Sequence, residues 1–232
     1  MTNNKKHVRV NDILLGPLER PALQWLAAHM PAWVTPDVLT AIGVVGALVV
    51  FFSYIFAHSS ALFLWGVNLG LLINWFGDSL DGTLARYRHI ERPRYGFYID
   101  HIVDAFNIVL IILGLAFSPY VRFEYAALAL IGYLLLSVLV YVRTYIQGVF
   151  QISYGKLGPT EARAIVFLAN VYVFFFGNPT LQTSVGSVSI YDIVALTVAA
   201  ILFVIYVITG MKEARVLANE DRPQSGGKAS SA

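Results

Sequence analysis

The longest stretch of the chain without a charged residue runs from Val38 to Gly77. It reads VLTAIGVVGALVVFFSYIFAHSSALFLWGVNLGLLINWFG, which is 40 positions without Asp, Glu, Lys or Arg. A helix needs about 20 residues to cross the roughly 30 Å hydrocarbon core of a bilayer, because each residue adds about 1.5 Å. The stretch therefore predicts two membrane-spanning helices, joined by a turn near residues 58–60.

The composition of the whole chain also indicates a membrane protein. Of its 232 residues, 57% are hydrophobic and 13% are charged, and the mean hydropathy is +0.66. A soluble domain carries about 25% charged residues, and a globule of this length could not bury so many apolar side chains. The composition therefore argues strongly against a soluble enzyme and against a disordered chain. The sequence contains no cysteine, which excludes disulfides and cysteine-ligated metals, and its net charge of +2 is too small to indicate binding to nucleic acid.

Shorter charge-free runs predict four further spans, so the expected fold is an all-α integral membrane protein with six transmembrane helices. An N-terminal amphipathic segment is expected to lie at the membrane interface before them, with a plain linker as the alternative. Pro17 and Pro21 limit any helix in that segment to the residues after them. The expected domains are a cytoplasmic N-terminus with the interfacial helix (1–34), the six-helix transmembrane domain (35–212) and a disordered cytoplasmic tail (213–232). The six spans are placed at about residues 36–57, 62–85, 96–117, 124–147, 160–177 and 190–211.

The first span begins with a clear start signal. Thr35 is suited to cap the helix, Pro36 to occupy its first position, and Asp37 to lie against its positive end. We therefore expect a helix to begin at Pro36.

The basic residues predict which side of the membrane each end of the chain faces. With six spans, both termini and the connections 86–95 and 148–159 lie on one side, which holds 15 of the 16 Lys and Arg residues. Arg122 is the remaining one and lies on the other side. Because basic residues concentrate in cytoplasmic loops beside anionic headgroups, we expect both termini to be cytoplasmic.

Four aspartates lie near the cytoplasmic ends of the second and third spans. Asp78 and Asp81 are three residues apart, and Asp100 and Asp104 are four apart, so each pair lies on one face of its helix. The short 86–95 connection makes these two spans antiparallel neighbours. All four carboxylates are therefore expected to converge on one small volume just inside the membrane.

Carboxylates that converge in this way must hold cations between them or share protons, because they repel one another where hydration is poor. Oxygen ligands of this type suit Mg²⁺ or Mn²⁺, and a two-metal cluster is suited to displacement at phosphorus. A lone intramembrane aspartate is often a helix cap or half of an ion pair, but two facing pairs favour a functional site. The nearby arginines, which are Arg86, Arg88, Arg92 and Arg94, would either bind phosphate oxygens or face lipid headgroups.

The two pairs form part of a longer pattern, Asp78-Ser-Leu-Asp81-Gly82-Thr-Leu-Ala85-Arg86, then nine residues, then Gly96-Phe-Tyr-Ile-Asp100-His-Ile-Val-Asp104. This pattern closely resembles the signature of the CDP-alcohol phosphotransferases, integral membrane enzymes of phospholipid synthesis. All eight signature positions match in type and order. The spacer is one residue longer than the family's usual eight, which changes the loop and leaves the face of each helix intact.

The resemblance implies a role for each signature residue. Asp78, Asp81 and Asp100 would hold a pair of divalent cations, Mg²⁺ or Mn²⁺, and Asp104 would share in it and serve as the general base. The CMP portion and the diphosphate of the donor would contact Gly82, Ala85 and Arg86. Asp37 lies where the family often has an asparagine near the nucleotide. The resemblance also implies a homodimer formed through membrane helices.

The implied reaction is the transfer of a substituted phosphate from a CDP-activated donor, with CDP-diacylglycerol favoured, to an alcohol acceptor, with release of CMP. The Asp100-His101 step also occurs in the choline and ethanolamine branch of the family. The opposite arrangement therefore stays open, in which a CDP-choline or CDP-ethanolamine donor transfers its head group to diacylglycerol. His101 itself would either support Asp100 through a contact, act as an auxiliary base, or only pack and hydrogen-bond within the protein.

Two further hypotheses concern a possible acceptor pocket and an alternative class of protein. Arg143, Lys156 and Arg163, with His101, could form a pocket for a polar or phosphorylated acceptor, or the basic residues could merely anchor the membrane interface. A carboxylate-based cation transporter is the alternative of another class. It would need a continuous polar path, and the last two spans offer almost no ionisable residue to line one.

Overall fold

A computed structural model describes residues 14–147, 159–183 and 186–221. The described chain is almost entirely helical, with one short antiparallel hairpin in which Thr180 pairs with Ser189 and Leu181 with Val188. The elements, in chain order, are α1 (Gly16–His29), α2 (Pro36–Phe56), α3 (Phe63–Tyr87), α4 (Pro93–Ala116), α5 (Phe123–Gln147), α6 (Pro159–Phe176), β1 (Thr180–Thr183), β2 (Gly186–Ser189) and α7 (Ile190–Glu220).

Within the described ranges, five helices are long and apolar enough to cross a membrane, namely α2, α4, α5, α6 and α7. This finding agrees with a multi-pass integral membrane protein. The helix α3 is 25 residues long but less apolar, because Asn68, Asn74 and both aspartates of the first pair interrupt its apolar residues. Its assignment as a sixth span therefore stays a prediction.

The start of α2 confirms the sequence signal, whereas the end of α7 does not follow the prediction. Thr35 is the N-cap, and its hydroxyl accepts the backbone N–H of Val38 at 3.3 Å. The helix α7 continues to Glu220, nine residues beyond the predicted end of the sixth span at 211, so residues 213–220 are helical where a disordered tail was expected. The rest of that predicted tail, after residue 221, lies outside the described residues. Hydropathy marks where a helix leaves the bilayer, but residues 212–220 contain good helix formers and neither Gly nor Pro, so the helix continues.

The prediction for the N-terminal segment was wrong about where its helix begins. The helix α1 starts at Gly16, with Pro17 in its first turn and Pro21 inside it, although a helix was expected only after these prolines. Pro17 lies in the first turn, where a backbone N–H would have no partner within the helix. Pro21 lies inside the helix, where its missing N–H costs one backbone hydrogen bond. The location of α1 at a membrane surface stays a prediction.

Two glutamates hold α1 against the rest of the protein. The Glu19 carboxylate accepts the indole N–H of Trp75 at 2.7 Å and the hydroxyl of Thr160 at 2.9 Å. The buried Glu161, on α6, accepts the backbone N–H of Leu15 at 2.8 Å. These bonds connect α1 to both α3 and α6 and help to offset the local cost of Pro21.

Glycines bring the backbones of α2 and α3 into direct contact. A Cβ atom added to Gly46 would lie 2.3 Å from the backbone nitrogen of Asn74, and one added to Gly77 would lie 2.3 Å from that of Gly43. The Asn74 side-chain amide donates to the Gly43 carbonyl at 2.9 Å. Small residues allow such close approach between membrane helices, and here they place the second half of α3 against α2.

The connections α4–α5 and α6–α7 meet at the far end of the bundle. The Tyr120 carbonyl accepts the Asn178 amide and the Ser189 hydroxyl, both at 2.9 Å. Asp192 accepts the backbone N–H of Arg122 at 2.7 Å and also forms a capping box with Ser189 at the start of α7. Because α4 runs about 36 Å from end to end, these connections lie far from the α3–α4 connection.

A buried polar network joins four helices of the bundle. The Asn170 side-chain oxygen accepts the hydroxyls of Tyr54, at 3.2 Å, and Tyr191, at 2.8 Å. Its amide nitrogen donates to the Asn68 side-chain oxygen at 2.9 Å. The network therefore connects α6 to α2, α3 and α7 and fixes the rotation of α6, which carries Arg163.

Candidate active site

The aspartates that share helix faces in the sequence come together in space. Oxygen atoms of Asp78, on α3, and of Asp100 and Asp104, on α4, all lie within 4.8 Å of one another. Each of these residues is partly buried. Carboxylate oxygens this close together suit a hard divalent cation, so these donors fit Mg²⁺ or Mn²⁺.

Asp81 lies beside this group, and α2 orients it. Its carboxylate accepts the hydroxyl of Thr40 at 2.6 Å and the backbone N–H of Gly82. A cleft is lined by the four aspartates together with Thr40, Gly43, Val103 and Asn107. Asp81 therefore faces the same space as the other three acids, although its oxygens lie outside their close group.

Arg163 brings a positive charge from α6 to the acid cluster. Its Nη2 donates to Asp78 Oδ2 at 2.6 Å, and its Nε donates to the side-chain oxygen of Asn74 at 3.0 Å. From the sequence, Arg163 was expected either in an acceptor pocket with Arg143 and Lys156 or as an anchor at the membrane interface. The structure places it in direct contact with a predicted metal ligand.

The other residues of the predicted acceptor pocket lie in different surroundings. The His101 ring stacks on Phe97, with centroids 4.1 Å apart, and its Nδ1 lies 3.6 Å from Asp100 Oδ2. Arg143 forms an ion pair with Glu213 of α7 at 3.1 Å. Lys156 lies outside the described residues. His101 and Arg163 are thus brought beside the acid cluster, whereas Arg143 connects α5 to α7.

The residues predicted to contact the donor lie along the exposed end of α3. The Cβ position on Gly82 is 3.3 Å from Nη1 of Arg86, so the guanidinium lies over the glycine. Ala85 is half-buried beside them. A Cβ on Gly96, at the start of α4, would meet nothing within 4 Å. This glycine is therefore not required for packing in the described structure, and its surroundings leave room for a ligand.

The remaining arginines of the α3–α4 connection bind other parts of the protein. Arg92 forms an ion pair with Asp37 and lies 4.1 Å from the centre of the Tyr95 ring. Arg88 donates to the carbonyls of Met30 and Pro31, each at 2.8 Å. Asp37 therefore contacts the connection and not the acid cluster, and Arg88 holds the segment that joins α1 to α2.

Sequence reasoning missed three polar residues at this site. Asn74 precedes Asp78 by four residues and Asn107 follows Asp104 by three, so helical spacing could have identified both. Thr40 reaches Asp81 from a different helix, and no local spacing predicts that contact. All three lie next to the aspartates because α2, α3 and α4 pack together.

Comparisons with known proteins agree with this site. The profile of the CDP-alcohol phosphatidyltransferase family matches residues 33–211. Cholinephosphotransferase 1 of Gallus gallus is 29% identical over 171 residues, covering 69% of this chain and 50% of that protein. Archaetidylinositol phosphate synthase of Pyrococcus horikoshii is 28% identical over 139 residues, covering 60% of this chain and 70% of that protein. The chain thus spans half the length of the first relative.

The family profile covers most of the chain, including α2 to α6 and most of α7, and the aspartate pairs lie inside the matched range. The signature residues in the sequence, their convergence in the structure and the profile match all agree. The chain therefore belongs to the CDP-alcohol phosphatidyltransferase family, whose members are transferases of substituted phosphate groups.

Proposed function

We propose that this protein transfers a phosphatidyl group from CDP-diacylglycerol to a hydroxyl of an alcohol acceptor and releases CMP. The observation that supports this proposal best is the convergence of three carboxylates from α3 and α4 within 4.8 Å, beside the Gly82–Arg86 face. A diphosphate needs positive charge around it, and an acid cluster that holds cations beside an exposed arginine supplies it.

Each part of the site has a role in this reaction. Two divalent cations, Mg²⁺ or Mn²⁺, would be held by Asp78, Asp81, Asp100 and Asp104 and would neutralise charge on the diphosphate. Gly82 and Ala85 leave space for the CMP portion, and the Arg86 guanidinium binds diphosphate oxygens. Thr40 orients Asp81, and Arg163 orients Asp78, through the hydrogen bonds described above.

Asp104 serves as the general base. The acceptor hydroxyl gives its proton to the Asp104 carboxylate as its oxygen forms a bond to the β-phosphorus of the donor. The bond between that phosphorus and the oxygen bridging to CMP breaks, and CMP leaves with the electron pair. The acceptor in its pocket is expected to contact Arg163 and His101, with Arg143 and Lys156 as further candidates.

In a second candidate function, the CDP is attached to the head group and not to the lipid. In it, a CDP-choline or CDP-ethanolamine donor transfers its phosphorylated head group to diacylglycerol. The Asp100-His101 step favours this candidate, and one relative is named as a cholinephosphotransferase. The other relative is named as an archaetidylinositol phosphate synthase, so the names of the relatives do not choose between the two.

CMP release from purified protein tests the proposal. CDP-diacylglycerol and CDP-ethanolamine are each incubated with a panel of alcohols that includes glycerol phosphate, inositol phosphate, serine and diacylglycerol. We expect CMP only when CDP-diacylglycerol is combined with a small polar alcohol. Release from CDP-ethanolamine with diacylglycerol would establish the second candidate. If no combination releases CMP and the acid cluster instead carries cations across vesicles, the protein is a transporter.

The proposed arrangement in the membrane has six spans, α2 to α7, with both termini and the acid cluster on the cytoplasmic side. The charge distribution in the sequence supports it, because 15 of 16 basic residues then share one side. The meeting of the α4–α5 and α6–α7 connections at the far end agrees with alternating helix directions. We also propose a homodimer through membrane helices, as the family resemblance implies.

A further inference from the structure

Asn107 is a buried polar residue whose side chain lacks a hydrogen-bond partner among the residues that the structure describes. It is 4% exposed, and within the described residues neither its amide nitrogen nor its amide oxygen has a hydrogen-bond partner. It lines the same cleft as the four aspartates, three residues after Asp104 on α4. The residue is therefore on the face of α4 that carries Asp100 and Asp104.

The other buried asparagines of the bundle differ from Asn107. Asn170 uses both of its amide atoms, and Asn74 donates to Gly43 and accepts from Arg163. A buried amide without partners costs free energy, because it loses its bonds to water and gains none in return. An apolar residue would fit better at position 107 unless something that enters the cleft completes these bonds.

The chemistry of the amide limits what that partner can be. A cation would bind only the amide oxygen, and a phosphate oxygen would accept only from the amide nitrogen. A pair of neighbouring hydroxyls satisfies both atoms, because one oxygen can accept from the nitrogen while the second hydroxyl donates to the oxygen. The hydroxyl that accepts from Asn107 keeps its own proton free to move to Asp104, one helical turn away.

We propose that Asn107 binds the acceptor alcohol, and that this acceptor carries a second hydroxyl next to the one that reacts. The proposal rests on the proposed function, because it needs Asp104 to receive the proton of the acceptor. The Asn107 side chain holds the reacting oxygen with its N–H group and recognises the neighbouring hydroxyl with its carbonyl. It favours a polyol acceptor over diacylglycerol, which has a single hydroxyl.

The test compares Asn107→Leu with the wild type in the CMP-release assay. The acceptors are the most active polyol of the panel and its deoxy analogue, which lacks the neighbouring hydroxyl. We expect the substitution to raise the KM for the polyol at least tenfold and the KM for the deoxy analogue less than threefold. The KM for the CDP donor, and Mn²⁺ binding followed by electron paramagnetic resonance, should change less than twofold.

Two further variants keep the test interpretable. Asn107→Ala removes the same two hydrogen-bonding groups if the leucine variant does not fold, and should give the same pattern. Phe106→Leu is the matched control, because Phe106 is exposed on α4 and lies outside the cleft. The thermal unfolding temperature of Asn107→Leu should equal or exceed that of the wild type, since a buried unpaired amide is lost.

The possible results separate the two proposals. A higher unfolding temperature with an unchanged KM for the polyol would mean that the amide is only a packing defect and would overturn the inference. A substitution that changes only the KM for the donor or only Mn²⁺ binding would also overturn the inference. The same holds if the best acceptor of the wild type has a single hydroxyl. If the wild type releases no CMP with any pair, the proposed function itself fails and this inference fails with it.

Discussion

At the scale of single residues, the carboxylate of Asp104 lies within 4.8 Å of those of Asp78 and Asp100. We predict that Asp104→Asn lowers CMP release by at least about 100-fold, because the amide cannot accept the acceptor's proton and is a poorer metal ligand. Binding of CDP-diacylglycerol, measured by titration calorimetry, should change little because Gly82 and Arg86 are untouched. Glu124→Gln, at the far end of the bundle, is the control. Near-normal turnover in Asp104→Asn would remove Asp104 from the base role.

The carboxylate donors also predict the effect of removing metal. Treatment with excess chelator should abolish CMP release, because without cations the clustered aspartates lack the positive charge needed to bind a diphosphate. Adding Mg²⁺ or Mn²⁺ beyond the chelator should restore the release. Chelator already saturated with Mg²⁺ is the control for side effects on the protein. Full turnover in excess free chelator would contradict the proposed two-metal site.

At the scale of helices, the contact between α2 and α3 depends on glycine. We predict that Gly46→Ala destabilises the protein by about 1–3 kcal/mol or more, because the new Cβ would lie 2.3 Å from the backbone of Asn74. Gly210→Ala is the matched control: beyond its own helical turn, no atom of the described residues lies within 4 Å of its Cβ position, and alanine favours a helix by about 1 kcal/mol. Thermal unfolding in detergent micelles measures both. Equal unfolding temperatures for the two variants would show that the close approach of α2 and α3 is not needed for stability.

Helix boundaries illustrate how far local sequence signals reach. Thr35 and Pro36 specify the start of α2 because a cap and a proline act within one turn. The start of α1 and the helical residues 213–220, where a disordered tail was expected, differ from the prediction for two different reasons. Bonds from Glu19 and Glu161 to distant parts of the chain stabilise a helix through Pro21, and the loss of apolar residues after 211 does not stop a sequence that favours helix.

At the scale of the whole molecule, the number of spans depends on whether α3 crosses the bilayer. The chain has no cysteine, so single cysteines can report sidedness without background. We predict that Ser59→Cys, before α3, reacts with an impermeant maleimide only from the side opposite the cytoplasm, and that Glu91→Cys, after α3, reacts only from the cytoplasm. Both positions are exposed. Labelling of both from the same side would mean that α3 does not span.

The acid cluster shows which parts of the site are predictable. Helical spacing placed the two aspartate pairs on shared faces, and a short connection made their helices neighbours, so their convergence followed from local rules. The same rules could not assign a partner to Arg163, which is 85 residues from Asp78. Its contact depends on the rotation of α6, which the Asn170 network holds.

The sequence by itself determined that this is a helical membrane protein, where most of its helices lie, and that paired aspartates form its most chemically distinctive feature. These properties follow from composition and from spacing within single helices, which local geometry governs. Only the tertiary structure decided that Thr40 orients Asp81, that Arg163 contacts Asp78, and that Asn107 is buried with no partner in the described part of the chain. These contacts depend on how closely separate helices approach and how each is rotated, and packing between distant parts of the chain sets both.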